Sequence, residues 1–330
     1  IMLSETALSL NDIEGAGTLP MEANQYTVEQ LLTALLVGNS STAALALAEK
    51  VGGSEKSFVE KMKQKLSEWG IQSPHLINAT GLNTQTISGD PDGKGDENQL
   101  SAYDIAVIAK HLLQDFPEVT KYTSKPTALF SNTQIENPNL MLEGMPNYRS
   151  GVDGLRVSNS TKGGITFAAS TTQNGIHMIT VVLGVEAVDG DPYARFVATS
   201  SLMNYVVRTF VSSIVVKEGD PYGKSKATVM DGKSETVLAV AKKDFYIVEK
   251  QGSQAEPKIQ FKSNQESFRA PVKSGTNLGK LHYTDPDKIG RGYLEDQEPT
   301  VDMVSGRTIE KSFFLKVWWN EFVRYVNEKL

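Results

Sequence analysis

Between two leucine-rich runs the chain carries five small or polar residues in succession, Gly38-Asn39-Ser40-Ser41-Thr42. Their hydroxyls and amide donate and accept hydrogen bonds. Their size lets two helices, or a helix and a ligand, approach closely. The plainer reading is a loop between two helices. Other reactive groups are scarce. The 330 residues include no cysteine, which excludes disulfides, thiolate metal sites and a cysteine nucleophile. The four histidines, His75, His111, His177 and His282, have no HExxH or HxH spacing, so no metal or cofactor is expected. A net charge of −6 argues against a general nucleic-acid binder.

A second group closes the chain. On a helical wheel Phe314, Leu315, Trp318, Trp319, Phe322, Tyr325 and Val326 share one broad face. Lys316, Asn320, Glu321, Arg324, Asn327 and Glu328 share the other, while Phe313 and Val317 fall outside this division. Lys311 to Leu330 carries four basic and two acidic side chains, a mild attraction to anionic lipid. Tryptophan suits a membrane interface because its ring is apolar with one polar handle. Charges along the whole segment forbid spanning, and no 18-residue apolar run occurs anywhere. The segment is expected to lie flat on a lipid surface.

The elements that position these groups follow from period and punctuation. Thr27 to Lys50 reads as helix on both sides of the polar patch. Residues 54–68 read as an amphipathic helix, with Phe58, Met62 and Leu66 four apart. Residues 81–99 are rich in Gly, Asp and Asn, a surface loop. Ser101, with Asp104 three residues on, caps a helix over 100–113. Then Ile165, Phe167 and Ala169 alternate with Thr166, Ala168 and Ser170. Asn174-Gly175 precedes the β-branched run 176–185, a hairpin signature. A helix follows over 195–210. Short β-rich runs beyond 213 predict a small all-β domain. The expected organisation is an α+β domain over 1–213, a β-rich domain over 214–295, a polar linker over 296–310 that lets the end swing free, and the amphipathic helix over 311–330.

Several phrases in this order resemble one family. They are Thr27-Val28-Glu29-Gln30-Leu31-Leu32, Ala46-Leu47-Ala48-Glu49-Lys50, Thr80-Gly81-Leu82, Ser101-Ala102-Tyr103-Asp104-Ile105-Ala106 and Gly151-Val152-Asp153-Gly154-Leu155. The chain resembles the serine D-alanyl-D-alanine carboxypeptidases, the low-molecular-weight penicillin-binding proteins, over nearly its whole length. The resemblance implies a penicillin-recognising transpeptidase-like fold, an antiparallel sheet flanked by helices, then a small all-β domain and an amphipathic terminal anchor. It implies peptidoglycan stem peptides ending in D-Ala-D-Ala as partners, with the lipid surface. The implied location is peripheral, on the extracytoplasmic face of the bacterial cell membrane. It also implies three motifs. Ser-x-x-Lys supplies a serine nucleophile and the lysine that takes its proton, because a free hydroxyl is a poor nucleophile. Ser-x-Asn shuttles protons and holds the substrate amide. Lys-Thr-Gly on an edge strand binds the substrate carboxylate.

This sequence departs from all three. No lysine has a serine three residues before it; Thr308 before Lys311 comes nearest. The chain is read as starting beyond that motif, with residues 1–10 strand-like. Aligned on Ala46–Lys50, the second motif falls on Asn39, Ser40 and Ser41. A shift of two puts Asn39 in the asparagine position and Val37 in the serine position. The third motif falls on Arg156, Val157 and Ser158. Arginine keeps the charge but is planar and larger than lysine. Valine lacks the hydroxyl, and serine replaces a glycine that permits close approach. Lys273-Ser274-Gly275 mimics the third motif but reads as a turn. No intact catalytic residue is therefore expected. Arg156, Val157 and Ser158 are the expected substrate-binding positions, and Phe314, Trp318, Trp319 and Phe322 the membrane-anchoring ones. The expected function is that of a carboxypeptidase-family protein of peptidoglycan maturation, catalytically impaired or inactive. The alternatives are an N-terminally truncated form of an active serine-type D-Ala-D-Ala carboxypeptidase and a non-catalytic cell-wall binding module.

Overall fold

Each early helix begins at a side chain that caps it. Ser4 accepts from the Ala7 amide to start α1 (Glu5–Ser9), and Thr27 and Gln30 form a reciprocal capping box at α2 (Val28–Leu36). Ser40 starts α3 (Ser41–Gly52), Ser54 starts α4 (Glu55–Glu68), and Asn83 starts the short α5 (Thr84–Ser88). Ser101 and Asp104 form a second capping box at α6 (Ala102–Asp115). The computed structural model describes residues 1–17, 19, 21–89, 95–160, 162–187, 190–255 and 258–329, so residues 90–94 of the expected 81–99 loop lie outside the described ones. The strand-like expectation for residues 1–10 is corrected. Ser4 caps a helix there, and Ala7 and Leu10, three apart, bury against Leu45. Met2 makes only an isolated bridge with Gln25.

The described chain divides into two units, Ile1–Val207 and Arg208–Leu330. In the first, α7 (Thr120–Thr123) precedes a hairpin of β1 (Thr127–Phe130) and β2 (Thr133–Glu136). Leu31, Ala34 and Val37 pack with Ala43, Ala46, Phe130 and Ile135. Fully burying a leucine such as Leu31 contributes about 1.5–3 kcal/mol. An antiparallel sheet in the order β3-β4-β5 is formed by β3 (Val152–Ser160), β4 (Gly164–Gln173) and β5 (Ile176–Val185). Asn174 and Gly175 both take left-handed φ, 51° and 73°, as a type I′ hairpin turn requires. Helix α8 (Ala194–Thr209) follows, and the boundary between the units falls in its last turn.

The second unit holds β6 (Phe210–Val216), β7 (Pro221–Met230), β8 (Thr236–Ala241), β9 (Phe245–Lys250), β10 (Lys258–Ser263), β11 (Phe268–Arg269), β12 (Asn277–Thr284) and β13 (Thr300–Ser305). Strands β6 and β9 pair; the others form a sheet in the order β10-β12-β13-β8-β7-β11. Lys273-Ser274-Gly275 lies in a turn, where the Thr276 amide donates to the Lys273 carbonyl at 3.1 Å. The expectation of a free linker over 296–310 is overturned by β13. Val301, Met303 and Ser305 are buried at period two, and β13 pairs with β12 and β8. Ile309 is buried and bridges to Val272, Lys311 bridges to Gly232, and the Ser312 amide donates to the Asp231 carbonyl at 2.8 Å. The chain is therefore held to the β unit up to the start of α9 (Phe314–Lys329). The terminal helix does not hang from a loose tether.

Candidate functional site

In the first unit the order β3-β4-β5 leaves β3 at a sheet edge. Side chains two apart on a strand share a face, so Arg156, Ser158 and Ser160 stand together. With Thr166 and Ala168 of β4 and Val181 and Leu183 of β5 they line a cavity of about 460 Å³. A second cavity, about 290 Å³, runs along β3 beside the α2–α3 turn and is bordered by Asn39, Ser41, Asn159 and Arg195. Arg156, Ser158, Ser160, Gly81 and Glu97 border both cavities. Val157 is buried opposite Phe167 and only borders the smaller one.

The α2–α3 turn has a backbone that few residues tolerate. Asn39 takes φ 59°, a region that asparagine enters more readily than most. Gly17 takes φ 75° and lies against it; a Cβ there would collide with the Asn39 carbonyl. The Asn39 Oδ1 is buried and makes no hydrogen bond to a described residue. Ser40 is committed to structure: its Oγ accepts from the Ala43 amide at 3.2 Å and lies 3.4 Å from the Met21 sulfur. Ser41 is buried with its amide on the Ala16 carbonyl at 2.9 Å, and borders the smaller cavity. The structure thus brings Asn39, Ser41, Arg156 and Ser158 to one place, and takes Ser40 out of it.

Arg156 is the principal charge. Its Nη1 donates to the Leu35 carbonyl at 2.8 Å, in the last turn of α2, where the helix dipole favours a cation. Burial pushes the guanidinium down to about 10, so it stays charged at neutral pH. Among the described residues no carboxylate pairs with it.

Two supports were missed by the sequence reading. Arg195 at the start of α8 donates to the Ser158 and Thr166 carbonyls at 2.8 and 3.0 Å and also bonds Asn159. Burial lowers its pKa too. The one signal was a charge at the start of an otherwise apolar helix face. Glu97 is buried and accepts from the Asn83 amide at 2.8 Å, the Lys162 backbone amide at 3.2 Å and the Ser160 hydroxyl. It ties Asn83, at the start of α5, to the end of β3. Nothing in its polar surroundings in the sequence marks it out.

Comparison with known proteins settles the lineage of this arrangement. The D-alanyl-D-alanine carboxypeptidase family profile matches residues 1–187, more than half of the chain. The chain belongs to that family. The C-terminal domain of penicillin-binding protein 5 matches residues 210–311. A solved structure described as a peptidoglycan synthesis regulatory factor (PBP3) from Streptococcus pneumoniae is 45% identical, with a TM-score of 0.89, covering 94% of this chain and 85% of that one. The D-alanyl-D-alanine carboxypeptidase DacA of Haemophilus influenzae is 28% identical over 261 residues, 78% of this chain. DacF of Bacillus subtilis is 26% identical over 289 residues, 85% of this chain. The chain spans 61% of the DacA sequence and 67% of DacF. Penicillin-binding protein 5 of H. influenzae, at 23% identity and a TM-score of 0.67, shares the fold. The family fold, mixed α and β followed by an all-β unit, is the one expected from the sequence.

Proposed function

We propose that the first unit of this chain binds the D-Ala-D-Ala end of peptidoglycan stem peptides and is impaired as an acyl-transfer catalyst. The observation that carries this reading is Arg156, a charged guanidinium with no carboxylate partner among the described residues, at the shared rim of the two cavities. A terminal carboxylate supplies the missing anion, in the two-pronged geometry that a guanidinium favours. Asn39, which borders the smaller cavity, supplies a polar side chain beside the bound peptide. Against catalysis stand Arg156-Val157-Ser158 and Asn39-Ser40-Ser41 in place of the family's Lys-Thr-Gly and Ser-x-Asn. Each loss removes about 3 kcal/mol of transition-state stabilisation if it is comparable to an oxyanion donor.

The proposal extends to location, peripheral on the outer face of the bacterial membrane. Its support is α9, on which Phe314, Trp318, Trp319 and Phe322 are 67, 60, 58 and 47% exposed. Apolar surface of this extent marks an interaction site. No helix among the described residues is long and apolar enough to cross a membrane.

Calorimetry with a stem peptide ending in D-Ala-D-Ala tests the groove. Arg156→Ala is expected to weaken binding by about 2–5 kcal/mol, roughly 30-fold or more. Arg156→Lys should fall between, since a point charge replaces a fork. Equal binding by all three proteins would remove Arg156 from the role.

A further inference from the structure

The second unit holds a buried carboxylate that the binding groove does not use. Asp231 follows β7 with φ 60°, and its side chain is 1% exposed. Its carbonyl accepts the Ser312 amide, which fixes the entry to α9. Its carboxylate receives Arg324 Nη2 at 3.2 and 3.0 Å and Arg269 Nε at 3.3 Å, with Asn320 Nδ2 at 3.5 Å. Arg269 also pairs with Glu321. Val317, Asn320 and Arg324, three and four apart, form a half-buried stripe of α9, and Val326 is half-buried outside it; the stripe accounts for Val317 standing outside the simple two-faced wheel.

We infer that Asp231 is a positioning residue that clasps α9 by its polar stripe, so that the second unit meets a lipid surface in one fixed orientation. This rests on the lipid-surface reading of α9. Two consequences follow. The aromatic face is turned outward before any lipid is met. Arg324 and Arg269 are occupied within the protein, so attachment rests chiefly on apolar burial, and the mild salt-dependent attraction to anionic lipid is left to lysines such as Lys316. Burial alone would raise the Asp231 carboxyl, but Arg324, Asn320 and Arg269 hold it below its ordinary 3.8. A carboxylate lowered in this way stabilises the docked state at all higher pH and loses its contribution as pH falls through the folded value, below 3.8. The clasp is intact across the neutral range.

The test uses the full chain and Asp231→Asn, because asparagine tolerates the left-handed backbone and removes only the charge. Without lipid, α9 amides are expected to exchange slowly in the parent and at least ten-fold faster in Asp231→Asn and in Arg324→Gln. Protection in β7 and β8 serves as the folding control. The chain lacks cysteine, so a fluorophore on Lys243→Cys reports its distance from labelled vesicles of phosphatidylglycerol and phosphatidylcholine. One narrow distance is expected in the parent and a broad spread in the variants. Unchanged exchange and unchanged distances in both variants would overturn the clasp. If no protein binds vesicles but exchange changes as expected, the lipid reading falls and the clasp stands. If Asp231→Asn loses protection throughout β7 and β8, Arg324→Gln decides alone.

Discussion

Incubated with a fluorescent penicillin and run on a denaturing gel, the 330-residue chain is expected to show no labelled band. A stable acyl-enzyme needs a serine with a base beside it, and no Ser-x-x-Lys occurs in this sequence. Of the serines at the groove, Ser41 is buried in the first turn of α3 and Ser158 is exposed beside an arginine. Ser160 is the serine that needs a control, because it donates to the buried Glu97. Losing the nucleophile of a serine hydrolase lowers turnover on the order of 10⁶-fold, so the expected difference from an active relative is all or nothing. A band abolished by preincubation with unlabelled penicillin would contradict this. Its survival or loss in Ser160→Ala would then identify the hydroxyl.

Ended at Glu310, the chain is expected to stop sedimenting with anionic liposomes. The four rings of Phe314, Trp318, Trp319 and Phe322 contribute ~6 kcal/mol if each gives only 1.5 on insertion, roughly 10⁴-fold in partitioning. Because the truncation also removes the Ser312 and Arg324 contacts to Asp231, Trp318→Ala with Trp319→Ala in the full chain is the companion. It should lose most of the binding with the clasp in place. Equal pelleting of the full and shortened chains, or of neither, would remove α9 as an anchor.

Local features were legible in the sequence and long-range ones were not. The Asn174-Gly175 hairpin and the Ser101–Asp104 capping box depend on neighbours within a few residues, and both form as read. The polar patch at 38–42 reads as a break between helices, and its residues 38–40 are that break. Strand β13 was missed because Thr300, Asp302 and Ser305 make its composition polar. Its burial comes from pairing with β12 and β8, which no local window contains. The docking of α9 was missed for the same reason, since Asp231 and Arg324 lie 93 residues apart. At the groove, the sequence pointed to Arg156, but its seat on the Leu35 carbonyl, 121 residues away, and the supports from Arg195 and Glu97 appear only once the sheet is assembled.

The most direct test of the groove is a crystal structure of the chain soaked with a stem peptide ending in D-Ala-D-Ala. The expected result is intact peptide with its terminal carboxylate within hydrogen-bonding distance of the Arg156 guanidinium, its backbone lying beside Asn39, and no bond to any serine. Peptide bound away from both cavities, or density joining it covalently to a serine hydroxyl, would contradict a groove that binds without acylation.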